Sequence, residues 1–274
     1  MQRVYKLYLL SLLGLNSLCL SAEPIPLFDT HLHYNTDAMQ QFAPQAVIQQ
    51  LDSAGIEKVL VSSTDDRGTQ ELLKLAPDRV LPALRPYRQP GTIKTWMYDE
   101  TVIKHLESKL ARHTYIVFGE FHAFEEHIDL PVVQRSVELA KAHNLILHIH
   151  GDAGAVEKLF KQWPQARVIW AHAGFEDPEN VTALLKRHSN LWIDLSHRSD
   201  ISTWAGLAAN WEQAFQDHPD RFMVGSDTYS LERWSQLGNF ALDTRDWLSV
   251  LPHELARKIA YQNAQALFDQ RKTD

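Results

Sequence analysis

The chain has 274 residues, 45% hydrophobic and 22% charged, which excludes a disordered protein and suits one globular domain. A formal charge of −7 leaves no general basic field to hold a nucleic acid. The single cysteine, Cys19, excludes an intramolecular disulfide, so the fold must rest on its core and on any metal it binds.

Residues 1–22 read as a secretory signal. Arg3 and Lys6 give a positive start, residues 7–20 are largely apolar, and Ser21-Ala22 offers a small residue before the cut. The stretch is short for a membrane span and no second one follows. The expectation is a secreted or periplasmic protein with no stable membrane span after cleavage. A membrane-anchored form ranks lower, and so does a lipid on Cys19, because Leu18 stands where that signal wants a small residue. Residues 23–274 then form the working domain.

From there strand-like and helix-like patterns alternate. A strand at 25–29 is followed by a helix at 44–54 that Gly55 ends. A strand at 57–62 precedes a short helix at 70–76, and one at 79–84 precedes an amphipathic helix at 99–112. Strands at 115–121 and 145–150 flank a helix at 131–143, with Pro131 at its favoured first turn. A helix at 155–163, a strand at 167–172 and a helix at 179–188 continue the series. The last units are a strand at 191–196, a helix at 204–217, a strand at 221–226, and helical sequence from 231 to 268 broken near Pro252. Trp96, Trp204 and Trp234 read as core or lid packing. The strands are near-continuous apolar runs, as a parallel sheet buried on both faces requires. Eight such units in one chain point to an α/β fold, a single-domain (β/α)₈ TIM barrel, and no glycine-rich turn after the first strand favours an open doubly wound sheet.

A barrel gathers the C-terminal ends of its strands at one mouth. The first strand ends in Asp29-Thr30-His31-Leu32-His33 and the fourth in Gly119-Glu120-Phe121-His122. The fifth ends in His148-Ile149-His150, the sixth in Ala171-His172-Ala173-Gly174 and the eighth in Gly225-Ser226-Asp227. Side chains alternate along a strand, so His31 and His33 share a side roughly 7 Å apart along the chain, within reach of one ion if the strand end curls. Imidazoles and carboxylates suit zinc first, then manganese or iron, and the lack of cysteine ligands argues against a closed structural zinc site. Asp227 can offer one oxygen to a metal and take a proton with the other. Each motif alone is weak. Their coincidence at five strand ends is strong, because burying that many polar groups without a common purpose is costly.

These segments, with the late Gln262-Asn263-Ala264-Gln265-Ala266-Leu267-Phe268, resemble the amidohydrolase superfamily, in particular its amidohydrolase-related branch, across essentially all of the chain after the leader. The resemblance implies a barrel with one or two divalent ions at its mouth. It implies that His31, His33 and Asp227 bind the first metal and that His150 and His172 are the fifth- and sixth-strand ligands. Glu120 matches a position where some members place a bridging carboxylate; a nearby acid outside the coordination sphere is the other reading. Of the two fifth-strand histidines, His150 is nearer the mouth and is preferred to His148. Substrate contacts are sought among Arg85, His122, His197, Arg198 and Tyr229, with surface ion pairs as the alternative for the two arginines.

The function expected is a metal-dependent hydrolase of a small-molecule amide, ester, lactone or phosphoester, with Asp227 as the catalytic proton acceptor. The alternatives are a mononuclear-metal decarboxylase of the same superfamily and a metal-binding homologue that has lost catalysis. A nucleic-acid-cutting branch shares the Gly-Glu pattern, but the negative charge weighs against it.

Overall fold

The computed structural model describes residues 24–204 and 206–270. The signal-peptide reading of residues 1–22 falls outside the described residues. Eight parallel strands run in chain order around one sheet. They are β1 Leu27–Leu32, β2 Ile56–Ser62, β3 Val80–Leu84 and β4 Val117–His122. The second half comprises β5 Ile146–His150, β6 Val168–Trp170, β7 Leu191–Asp194 and β8 Phe222–Met223. Helices alternate with the strands, and the whole is a nearly closed (β/α)₈ barrel in one domain. Among the described residues no ladder pairs β8 with β1. That seam is closed by the Thr30 amide donating to the Val224 carbonyl at 2.9 Å and the Asp227 amide to the His31 carbonyl at 2.6 Å.

One residue from each strand fills the barrel interior: Phe28, Leu60, Ala83, Val117, Ile146, Ile169, Trp192 and Met223. Ala264, Leu267 and Phe268, on the helix Asn263–Gln270, join this cluster. The larger core lies between the strands and the surrounding helices. Proline opens three of those helices, at Pro44, Pro131 and Pro178, where its missing N–H costs nothing.

Two register shifts decide what faces the mouth. On β1, Phe28 points inward, and unbroken alternation would send Thr30 and Leu32 after it. The pairing with β2 slips between Asp29 and Leu32, so Leu32 joins the outer core while the His31 and His33 side chains meet inside. On β4 the pairing with β5 slips between Gly119 and Phe121. Phe121 then packs outward, and Glu120 meets the inward-facing histidines. Gly119 is required there: its φ is +132°, and a Cβ would stand 2.1 Å from the His148 carbonyl oxygen.

The predicted helix at 204–217 begins later, at Ala209–Asp217. A two-stranded hairpin, Ser202–Thr203 against Gly206–Leu207, comes first, with Gly206 at φ +113°. Trp96 and Trp234 are buried, as packing residues should be, whereas Trp204 sits beside the hairpin turn fully exposed to solvent. The packing reading of Trp204 is therefore wrong, because the chain it was assigned to turns back before its helix starts. The final helical stretch is also subdivided, with breaks at Gln236 and between Ser249 and Pro252.

Candidate active site

The ring nitrogens of three histidines are fixed by what lies behind them. His33 Nδ1 stands 2.8 Å from the Ser62 carbonyl oxygen and His172 Nδ1 3.0 Å from the Ser196 carbonyl oxygen. A carbonyl only accepts, so in both rings Nδ1 carries the proton and Nε2 presents a lone pair. His31 Nδ1 lies 2.5 Å from the fully buried Asp194 carboxylate, which sets the same tautomer. In their neutral forms His31 Nε2 and His33 Nε2 would face each other at 3.1 Å as two lone pairs. That contact is repulsive until something positive stands beside it.

Two carboxylates close around these nitrogens. Asp227 Oδ1 lies 3.1 Å from His33 Nε2 and 3.5 Å from His31 Nε2, yet it is buried with no hydrogen-bond partner. Its Oδ2 meets His197 Nε2 at 2.9 Å. Glu120 turns one oxygen to each half of the centre. Oε2 is 3.3 Å from His33 Nε2 and 3.4 Å from His31 Nε2, while Oε1 is 2.9 Å from His150 Nδ1 and 3.6 Å from His172 Nε2. Three sets of donor atoms are each gathered within 4.8 Å: His31, His33 and Asp227; Glu120, His150 and His172; and His31, His172 and Asp194, the last sharing its two histidines with the others.

The electrostatics run in the same direction. Burial raises the pKa of Glu120 and Asp227, but His31 and the neighbouring histidines outweigh it and hold both carboxyls well below the usual range. Burial disfavours a charged His31, and Asp227, Glu120 and Asp194 together overcome it and raise its pKa far above an ordinary imidazole. Three buried carboxylates thus share the centre with one buried arginine, Arg85. The donor set, the lone pairs and the unpartnered Asp227 oxygen all fit a divalent cation, which would neutralise the excess buried charge.

The backbone holds several of these residues in the left-handed region. His172, Ala173 and Phe175 have φ of 57°, 53° and 57°, with Gly174 between them, and His197 and Asp227 have 58° and 49°. Such conformations are rare without glycine and concentrate at functional sites.

The remaining predicted residues divide. Arg85 is 5% exposed and donates to the Glu120 carboxylate and carbonyl, both at 3.2 Å. His122 lies 3.4 Å from Glu120 Oε1 and its ring stacks on His150 at 3.9 Å. Tyr229 flanks the His197 ring at 5.7 Å. Arg198 turns away: it pairs with Asp200 at 2.6 Å, donates to the Glu176 carbonyl at 2.8 Å and lies over the Trp211 ring. His148 packs edge-on against His31 below the centre, and burial pushes its pKa down to about 4.

Sequence reasoning missed Asp194, Ser196 and Ser62, which fix the histidine tautomers. Asp194 had the same signal as the others, an acid ending a strand within Leu191-Trp192-Ile193-Asp194.

A sequence model of the Amidohydrolase family matches residues 28–270. The chain belongs to the amidohydrolase family. No curated protein matches this amidohydrolase at a significant level. Among solved structures, it is similar to an uncharacterized TIM-barrel protein from Bordetella bronchiseptica at 14% identity, covering 90% of this chain and 99% of the other with a TM-score of 0.62. A probable 2-pyrone-4,6-dicarboxylic acid hydrolase from Acinetobacter baumannii, with citric acid bound, shows 17% identity over 89% of this chain and 99% of its own, with a TM-score of 0.57. A β-aspartyl dipeptidase from Fervidobacterium islandicum shows 15% identity over 93% and 79%, with a TM-score of 0.56. At these identities the likeness is one of fold.

Proposed function

We propose that this amidohydrolase is a metal-dependent hydrolase that adds water to an ester, lactone, amide or phosphoester of a small molecule. The observation that carries the reading is the convergence of three Nε2 atoms, from His31, His33 and His172, on the carboxylates of Asp227 and Glu120. His31, His33 and Asp227 would hold one ion, and His150 with His172 a second, with Glu120 between them. Zinc suits such nitrogen and oxygen donors best, with manganese or iron as substitutes. When bound, such an ion supplies Lewis acidity, acidifying water and polarising the bond to be cut.

The chain's own groups account for the proton. Asp227 is buried and held ionised, so its carboxylate is ready to accept a proton from the attacking water and return it to the leaving group. His197, 2.9 Å from Asp227 Oδ2, keeps that carboxylate turned toward the mouth and stands on the solvent side of it. Arg85 balances part of the Glu120 charge and fixes its orientation. The names of the hydrolases sharing the fold support this reaction class.

The test combines metal analysis with turnover. The parent should hold about two equivalents of divalent metal and Glu120→Gln about one, as a bridging carboxylate requires. Asp227→Asn should keep metal but lose about 10²–10⁴-fold in kcat. One equivalent in both parent and Glu120→Gln would remove Glu120 from between two ions, and full turnover by Asp227→Asn would end its proposed role.

A further inference from the structure

Several large apolar side chains on the loops of the mouth are exposed, and two of them, Phe175 and Tyr229, lie against histidines of the centre. Phe175 is 59% exposed and Tyr229 is 55% exposed. Both touch the centre. Phe175 stacks on His172 with ring centroids 5.0 Å apart and an interplanar angle of 21°, and it reaches His150 at 6.0 Å. Tyr229 flanks His197 at 5.7 Å, and His197 meets His172 at 5.4 Å. An unbroken line of rings therefore crosses the mouth from the end of β8 to the end of β6, with its two outermost members open to solvent.

The chain bends out of its way to present Phe175. His172, Ala173, Gly174 and Phe175 form a continuous left-handed stretch, and at Gly174 a Cβ would strike the Trp170 ring at 2.1 Å. The Trp170 indole N–H is in turn tied to the Gly151 carbonyl at 2.7 Å. A built, strained turn that ends in an exposed phenyl ring over a candidate ligand histidine is suited to gripping something flat and apolar.

The guanidinium groups nearest the centre already have protein partners. Arg85 is spent on Glu120, Arg198 on Asp200 and on main-chain carbonyls, and Arg233 on the carbonyls of Ser226 and Asp227. None of these three guanidinium groups is left to clamp a phosphate or a row of carboxylates.

Resting on the hydrolase reading above, we propose that the substrate is an uncharged acyl compound with a flat aromatic or conjugated ring beside the scissile bond, and that Phe175 and Tyr229 hold this ring. Two amides of matched size and charge test the grip without requiring turnover. Benzamide and cyclohexanecarboxamide are titrated into the metal-loaded protein by calorimetry. Each favourable ring contact is worth a few-fold, so benzamide should bind about tenfold tighter. Phe175→Ala and Tyr229→Ala should each cut that preference to about threefold, the double variant should abolish it, and Tyr229→Phe should retain it. Both side chains are exposed, so unchanged thermal midpoints should accompany the loss. Equal binding of the two amides, no measurable binding of benzamide, or a preference undiminished in the double alanine variant overturns the proposal. Benzyl acetate and cyclohexylmethyl acetate, whose leaving alcohols are of similar acidity, separate it from the hydrolase reading as substrates. Ring-selective amide binding with no turnover of any ring-bearing ester, lactone, amide or phosphoester would sink the hydrolysis and leave the grip standing. Equal turnover of both esters would do the reverse.

Discussion

Asp194 shows how much at the residue scale depends on a side chain that never reaches the mouth. Its carboxylate accepts from His31 Nδ1 at 2.5 Å, from the Ser196 amide at 2.8 Å and from the Ser196 hydroxyl at 2.9 Å, so it is held before it holds. Asp194→Asn would keep the shape but could present an N–H to His31, which favours the wrong tautomer and takes the Nε2 lone pair away. Supporting partners of this kind typically change metal affinity about 10–100-fold, and that loss is expected here, measured by competition with a chelator of known affinity. An unchanged affinity would mean that His31 is oriented by packing alone. The sequence singled out His31, His33, His150, His172, Glu120 and Asp227 because imidazole and carboxylate recurred at strand ends, and the structure brings these side chains together. Asp194 lay hidden because it binds no substrate or solvent and ends its strand without a second histidine beside it. Arg198 takes the other reading that the sequence left open, an ion pair, because Asp200, two residues on, claims it.

Elements were legible where hydrophobic period decided them and illegible where backbone geometry did. Eight apolar runs marked the eight strands, but their phase at the mouth came from slips in pairing at Asp29–Leu32 and Gly119–Phe121, which no alternation rule contains. The helix predicted from residue 204 failed because its apolar spacing continued through a hairpin that Gly206 closes. At the other end of the barrel, Arg245 on the helix Leu237–Leu248 does what sequence alone could not show. Its guanidinium donates to the carbonyls of Ile25, Ala54 and Gly55, at 3.0, 2.9 and 3.0 Å, and so clasps the start of β1 to the turn before β2. Charge-assisted bonds to buried carbonyls contribute about 1.5–3 kcal/mol, discounted here because the side chain is only partly buried. Arg245→Ala should therefore cost about 2 kcal/mol in denaturant unfolding and leave metal content unchanged. A loss of metal in that variant would show that the clasp also governs the mouth.

At the scale of the whole molecule the centre lies on the barrel's weakest line. Seven neighbouring strand pairs have ladders, whereas β8 is two residues long and meets β1 only through isolated bonds. The bonds that bridge this seam are carried by Thr30 with Val224, by Asp29 with Ser226, by His31 with Asp227 and by His33 with Thr228. Three of the proposed ligands flank it, His31 and His33 from β1 and Asp227 from just beyond β8. A metal held by that trio would stitch the barrel shut as well as serve the reaction. Any ligand that binds only the folded state stabilises it by mass action, about 2.7 kcal/mol at a hundred times its dissociation constant. For a domain of this size that corresponds to roughly 5–10 °C in thermal midpoint, so chelation should lower the midpoint by that amount and zinc should restore it. The stitching makes a sharper demand than the midpoint alone. On chelation, the amide protons of Thr30 and Asp227 should exchange faster while those in the β4–β5 ladder keep their protection. Uniform loosening around the barrel would mean that the ions stabilise the fold as a whole and that the seam is closed by its own hydrogen bonds.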